Sequence, residues 1–283
     1  MNQAATLAES ARVPSAPSRR DKRRRFLFVV WTAGVAAFRR NYAGTILGYT
    51  WIILQPLLLF AVLYAIFTEV IRFGRDIPHY EVMLLLNIVF FYFFREAGST
   101  SMRSFVARKT IISSVRVPLL AVPLSTILAA AFVFAANLAV ALVWAIVSDV
   151  HPQLGWLGIP ALVAYMLVYV VSLGVLLACI YVRIRDVAQI WRPIVRLMFY
   201  VSGVIFPFAL IPDGFFRTLA AMNPLSPLFV QLRVWIVDSS APTWPESAGS
   251  TFATVLPFVV LAVTCIAAAA VYRLTRAAIA ESL

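Results

Sequence analysis

The run VPLLAVPLSTILAAAFVFAANLAVALVWAIVS, residues 117–148, contains no charged side chain. A helix that crosses about 30 Å of hydrocarbon needs about 20 apolar residues, so this run is long enough to span a bilayer. Around it, 62% of the 283 residues are hydrophobic and 13% are charged, whereas soluble domains carry roughly 25% charged residues. The sequence therefore predicts an all-α integral membrane protein.

Further apolar runs on both sides predict six transmembrane helices in total. The first lies in residues 47–71, the third in 117–148, the fourth in 150–182, a short fifth in 197–212 and the sixth in 251–272. The second is less regular, because only 13 residues separate Glu81 from Arg95. That helix must either extend past Arg95 and Glu96 or begin near Pro78.

The distribution of Lys and Arg predicts the orientation. With six spans, 20 of the 24 basic residues fall on one face: nine before residue 41, five between residues 95 and 116, four between 183 and 196, and two in the tail. Basic loops stay in the cytoplasm, so both termini are expected there. The charge of +12 is thus explained by orientation, and no nucleic-acid partner is expected.

The N-terminal region divides into two parts. Residues 1–18 are small and polar and are predicted to be disordered. Residues 19–45 contain a basic cluster and the apolar run FLFVVWTAGVAAF, which is too short to span and predicts an amphipathic helix in the cytoplasmic interface. Its apolar face would comprise Leu27, Val30, Trp31, Gly34, Val35 and Phe38. A tilted or re-entrant helix is the alternative; a cleaved signal sequence is disfavoured by the basic pair Arg39–Arg40 that follows.

Several kinds of chemistry lack their usual sequence patterns. The chain has no G-x-x-x-x-G-K-[ST] loop for nucleotide phosphates and no H-E-x-x-H zinc motif. Cys179 and Cys265 lie in apolar runs, and His79 and His151 are too few for a metal cluster. We therefore expect no catalytic residues, no metal and no cofactor in this chain, and any energy must come from a partner.

A polar segment, SFVARKTIISSVRVP at residues 104–118, is predicted to face the cytoplasm. It combines basic and apolar side chains in one short stretch: Arg108, Lys109, Ile111, Ile112, Val115 and Arg116. An amphipathic turn of this kind can dock into a groove on a partner. The alternative is an ordinary basic loop between two spans.

Four motifs in order resemble the ABC-2 type permeases of polysaccharide exporters. They are the pair Asn41–Tyr42 followed by Leu47–Gly48, Trp51 and Pro56–Leu57; the segment ending in Pro118, Pro123 and Leu124; the loop RIRDVAQ at 183–189; and NPL at 223–225. The resemblance extends over residues 35–275. Val117 departs from the family pattern, which has an aromatic residue there.

This resemblance implies a homodimer that works with two copies of a cytoplasmic ATP-binding subunit, which would bind ATP and Mg. It implies export of a lipid-linked polysaccharide, such as O-antigen, teichoic acid or cell-wall galactan, across the bacterial inner membrane. The six-helix domain would occupy residues 46–275, with segment 104–118 coupling to the ATPase. Residues 206–250 would form re-entrant short helices that gate the outer face, and residues 276–283 a cytoplasmic tail.

Candidate site residues follow from this reading and from the chemistry of the cargo. Guanidinium groups bind phosphate oxygens, so Arg39, Arg40, Arg183 and Arg185 are candidates for a lipid head group, with Asp186 orienting Arg185; lipid anchoring is the alternative. Tyr49, Phe91, Tyr92, Arg95 and Glu96 are candidates for the sugar path, although Arg95 and Glu96 are alternatively a helix end at the interface. The candidate gate residues are Phe206, Phe208, Phe215, Phe216, Met222 and Asn223.

Two other functions compete with polysaccharide export. An ABC-2 permease for drugs or small lipids would share the same motifs. A lipid-sugar transferase would need clustered carboxylates near a membrane face, and the sequence does not supply them.

Overall fold

The computed structural model describes residues 18–42, 48–109, 118–212 and 214–282. Within these residues the chain forms helices and no β-strand. The α-helices are α1 (Arg19–Tyr42), α2 (Thr50–Ala65), α3 (Tyr80–Ala107), α4 (Ala121–Val147), α5 (Ile159–Arg183), α6 (Val187–Val201), α7 (Phe215–Ala221), α8 (Leu225–Leu232), α9 (Trp244–Ala248) and α10 (Thr251–Ser282). Single π-helical turns, Ile66–Val70 and Arg233–Val237, extend α2 and α8.

In the described part of the chain, five helical segments are long and apolar enough to cross a membrane: Thr50–Val70, Tyr80–Ala107, Ala121–Val147, Leu154–Arg183 and Thr251–Arg276. They correspond to the predicted spans one, two, three, four and six. The predicted fifth span had the wrong bounds, because α6 begins at Val187 and ends at Val201. The last helix continues through Ser282, so most of the predicted tail is helical.

The second span extends past its internal charges. Helix α3 contains 28 residues, which corresponds to about 42 Å of length. Arg95 and Glu96 lie in its interior, followed by three further turns. The helix also begins at Tyr80, close to Pro78, so both predicted ways of lengthening it are seen, whereas the interpretation that it ends near Phe94 is wrong.

Helix α3 lies at the centre of the molecule. In its most apolar window 78% of the residues are buried, against 11% for the first and last spans. It packs mainly on α4 and α5, where Phe90 and Phe93 contact Phe134 with ring centroids 4.9 and 4.7 Å apart. Gly174 lets α5 lie close to α3, because a Cβ at this position would lie 2.8 Å from the Ser101 hydroxyl.

Helix α1 packs against α4 along a face of small residues. Its start is capped reciprocally: the Asp21 N–H donates to the Ser18 hydroxyl, and the Ser18 N–H donates to the Asp21 carboxylate. Gly34 and Ala37 are buried, and Leu128 of α4 lies directly over Gly34. Leu27, part of the apolar face predicted for the interface, is 55% exposed. Trp31, Gly34 and Phe38 of the same predicted face do contact α4, the two rings at Phe132 and the glycine at Leu128.

The segment after α6 consists of short helices divided by prolines, as the sequence predicted. Pro224 precedes α8, and the N–H of Leu225 donates to the Asn223 side-chain oxygen at 3.0 Å across the turn at the start of the helix. Tyr165 of α5 donates to the Pro224 carbonyl at 2.8 Å. These two hydrogen bonds fix the start of α8.

Candidate functional site

Helix α3 separates two cavities, and the first is an aromatic groove of 420 Å³ between α3 and α6. Its wall combines five aromatic residues, Phe91, Tyr92, Trp191, Phe199 and Tyr200, with three guanidinium groups, Arg95, Arg192 and Arg196. Leu59 of α2 closes one side. The groove therefore offers ring faces and positive charge together.

Contacts between rings fix the shape of the aromatic groove. Phe91 meets Phe199 edge to face at 5.0 Å, a favoured arrangement for aromatic pairs. The Arg95 guanidinium lies over the Tyr92 ring, 4.1 Å from its centroid. The Trp191 indole N–H donates to the Ser99 hydroxyl at 3.0 Å and thereby ties α6 to α3.

The second cavity, the basic cavity, has a volume of 370 Å³ and lies between α1, α3 and α4. Its polar wall contains Arg40, Glu96, Thr100, Arg103, Ser104 and Arg108. Small residues of α4, among them Ala129 and Ala130, form the apolar side. This cavity holds three positive charges and one negative charge without any aromatic ring.

The predicted sugar-path residues do not all lie together. Phe91, Tyr92 and Arg95 line the aromatic groove, whereas Glu96 lines the basic cavity on the other side of α3. Tyr49 lies elsewhere, stacked on Phe38 of α1 with ring centroids 5.6 Å apart. Three of the five candidates therefore share one site.

The predicted head-group arginines are also divided. Both Arg39 and Arg40 are exposed on α1, and Arg40 lines the basic cavity. Arg183 is the last residue of α5, and the Arg185 guanidinium lies over the Tyr181 ring, 5.3 Å from its centroid. No ion pair joins Arg185 to Asp186 in the described residues, so the proposed orienting role of that carboxylate is wrong.

The predicted coupling segment falls partly outside the described residues. The described residues include Arg108 and the exposed Lys109 but not Ile111, Ile112, Val115 or Arg116. Arg108 donates to the Ser125 hydroxyl of α4 at 2.5 Å. Burial lowers the pKa of the Arg108 guanidinium, and the nearby positive charge of Arg40 lowers it further. Arg108 therefore connects the two helices that flank the segment.

The predicted gate residues form a buried pair and an exposed group. Phe208 is buried edge to face against Trp244 at 5.0 Å, with Phe206 partly buried in the same cluster. Phe215, Phe216 and Met222 are exposed by 75%, 69% and 46%. The exposed gate candidates thus lie on α7 or directly after it, beside the buried cluster that contains Phe208.

Two buried polar residues of α3, missed by the sequence reasoning, hold the chain after α6. Asn87 donates to the carbonyls of Gly203 and Val204 at 3.3 and 3.2 Å, and Tyr80 donates to that of Ile205 at 2.9 Å. An amide inside the run LLLNIVF was the available indication, since a buried amide must find partners. The groove residues of α6 were also missed: Trp191, Arg192 and Arg196 lay before the predicted fifth span, and Phe199 and Tyr200 lay inside it without being assigned to a site.

In the described part of the chain, five helices long and apolar enough to cross a membrane, with a buried one at their centre, are typical of a multi-pass membrane protein. The chain belongs to the ABC-2 type transporter family, whose pattern matches residues 28–237. It is 27% identical over 194 residues to an O-antigen export system permease protein, RfbA, of Klebsiella pneumoniae, covering 68% of this chain and 74% of that protein. It is 25% identical over 205 residues to RfbA of Myxococcus xanthus, covering 72% of this chain and 78% of that protein.

Proposed function

We propose that this chain forms the membrane passage of an ATP-driven exporter of lipid-linked polysaccharide in the bacterial inner membrane. It would act as a homodimer, with two copies of a separate ATP-binding subunit on the cytoplasmic side. Membership of the ABC-2 family and similarity to O-antigen export permeases support the class of transporter and of cargo.

The observation that carries the proposal is the aromatic groove. Sugar rings expose faces of C–H groups, which pack on the negative faces of aromatic rings, and hydroxyl groups that accept hydrogen bonds from guanidinium groups. Phe91, Tyr92 and Tyr200 supply the rings, and Arg95 and Arg192 the donors. In a homodimer, a second copy placed against this groove would enclose a passage.

A sixth crossing is proposed for α6 together with the chain that follows it. Helix α6 has 15 residues, about 22 Å in length, which is less than the hydrocarbon thickness. Ser202, Gly203 and Val204 continue it as buried non-helical backbone, and such backbone is tolerated at membrane depth where protein surrounds it. Six crossings would place both termini on the same side of the membrane, and the distribution of Lys and Arg predicts that this side is the cytoplasm.

The remaining parts of the chain take their roles from this topology. Helix α1 would lie in the cytoplasmic interface, with Arg39, Arg40, Arg183 and Arg185 available to the lipid head group. The segment between α3 and α4 would dock on the ATPase subunit, fixed at its start by Arg108. Helices α7 and α8 would dip back from the outer face, with Phe215, Phe216 and Met222 at the gate.

The test uses the chain reconstituted with its ATPase subunit in proteoliposomes. Tyr92→Ala combined with Tyr200→Ala removes two rings of the groove and should reduce ATP-dependent transfer of lipid-linked glycan at least about tenfold. Phe252→Ala combined with Phe258→Ala on exposed positions of α10 is the matched control and should export normally. Wild-type export by the groove variant contradicts the proposal, and transport of a small hydrophobic dye without glycan transfer would favour a permease for drugs or small lipids.

A further inference from the structure

The basic cavity contains charge that the protein itself does not neutralise. Among the described residues, none of the ion pairs involves Arg40, Arg103, Arg108 or Glu96. Arg40 comes from α1, and the other two arginines come from the end of α3. Guanidinium groups converge from two elements on one cavity, which therefore has a net positive charge.

Two of these guanidinium groups, those of Arg40 and Arg108, lie close enough to repel each other. Arg108 is anchored by its hydrogen bond to Ser125, whose own hydroxyl donates to the Val122 carbonyl at 2.8 Å. The charge of Arg40 is near enough to lower the pKa of Arg108. An anion between these arginines would relieve the repulsion, and planar guanidinium groups match the oxygen atoms of a phosphate.

A buried hydroxyl in the same wall lacks a partner. Ser104 is only 2% exposed, and its Oγ has no hydrogen-bond partner. A buried polar group is normally hydrogen-bonded, so an unpartnered one requires an explanation. The neighbouring Thr100 hydroxyl is already satisfied by the Glu96 carbonyl at 2.8 Å. Ser104 Oγ is thus an unpartnered donor in a cavity wall that also contains three arginines.

We propose that the basic cavity binds the phosphate group of a lipid head group. Arg40, Arg103 and Arg108 would bind the phosphate oxygens, and the Ser104 hydroxyl would donate a further hydrogen bond. Glu96 would accept a hydrogen bond from a hydroxyl or ammonium group of the same head group. The volume of 370 Å³ is at the small end of ligand pockets, about 300–1,000 Å³, which suits a head group whose acyl chains remain outside.

This site is separate from the aromatic groove, and the proposal does not depend on which polysaccharide is exported. Arg40 of α1 and the arginines at the end of α3 would share one ligand. A bound head group would therefore hold the interfacial helix against the end of α3, next to the proposed coupling segment. The phosphate could come from a phospholipid of the bilayer or from the pyrophosphate of a lipid-linked sugar, since both present the same oxygen atoms.

The binding test uses the full purified chain in detergent and native mass spectrometry. The probes are dihexanoyl phosphatidylglycerol, farnesyl pyrophosphate and dihexanoylglycerol, which has no phosphate. Arg40→Gln combined with Arg103→Gln should weaken binding of a phosphate probe at least about tenfold, because hydrogen bonds to charged groups are lost. The matched control, Arg23→Gln with Arg24→Gln, removes the same charge from exposed positions of α1 and should change binding by less than about twofold.

Ser104→Ala keeps the assay informative if the double variant folds poorly. It removes the unpartnered hydroxyl, so the lipid-free protein should be as stable as wild type or more stable, while phosphate-probe binding falls about fivefold. Tighter binding of phosphatidylglycerol identifies the bilayer as the source, and tighter binding of farnesyl pyrophosphate identifies the lipid carrier. Equal binding of both phosphate probes to wild type and to the arginine double variant would overturn the proposal, whatever the export assay shows.

Discussion

The two cavities beside α3 differ in chemistry although one helix forms a wall of both. The aromatic groove has five rings and three arginines, whereas the basic cavity has three arginines, a carboxylate and hydroxyl groups. Arg95 faces the first and Glu96 the second, because successive residues of a helix are rotated by about 100°. Two adjacent charges in the sequence therefore belong to different sites, and variants of each should separate the two functions.

The largest expected effect concerns the residue that builds the groove. Trp191 is buried, donates to Ser99, and fits over Gly98, where a Cβ would lie 2.8 Å from the indole ring. Trp191→Ala should lower the free energy of unfolding by about 3–5 kcal/mol and detach α6 from α3. Unfolding in mixed micelles measures the loss, and export should fall with it.

The control for this variant is Trp51→Ala, since Trp51 is 44% exposed. It should cost less than about 1 kcal/mol. Binding of phosphatidylglycerol to folded Trp191→Ala protein should persist, because Trp191 does not line the basic cavity. An equal loss of stability in both tryptophan variants would show that α6 is not anchored through this contact.

The sequence predicted the long helices well, because each long apolar run has few possible structures in a membrane. It located α6 poorly for a physical reason. Arg192 and Arg196 face the groove and lower the local hydropathy, so the apolar window was shifted toward residue 212. Hydropathy detects contact with lipid and gives no weight to a helix whose polar face lines a cavity.

The face of α1 illustrates a second limit. Trp31, Gly34 and Phe38 of the predicted apolar face do contact α4, but the buried Ala37 was not included in that face. Small residues let helices in membranes approach closely, and their role depends on the partner helix. In the same way, five consecutive aromatic residues could not be assigned to core or groove until α4, α5 and α6 were in place around them.

An intermediate effect is expected at Arg95. Arg95→Gln removes a donor and the cation over Tyr92 from the groove and should reduce glycan export about tenfold. Phosphate-probe binding at the basic cavity should remain within about twofold of wild type, because Arg95 does not line it. Export and binding measured on the same preparation test this separation. Parallel loss of both would mean that the cavities act as one site.

The smallest effect is expected at the adjacent residue, and its sign is opposite. Glu96 is the one acidic residue in the wall of the basic cavity, so Glu96→Gln removes the repulsion between its carboxylate and a bound phosphate. Binding of phosphatidylglycerol should become roughly threefold tighter at low salt, and the gain should shrink as salt rises. Glu81→Gln is the matched control, because Glu81 lies on the same helix and pairs with His79, 3.9 Å away. The glutamine carbonyl still accepts a hydrogen bond from the head group, so weaker phosphate binding by Glu96→Gln would contradict this prediction, and identical behaviour of the two glutamate variants would remove Glu96 from the site.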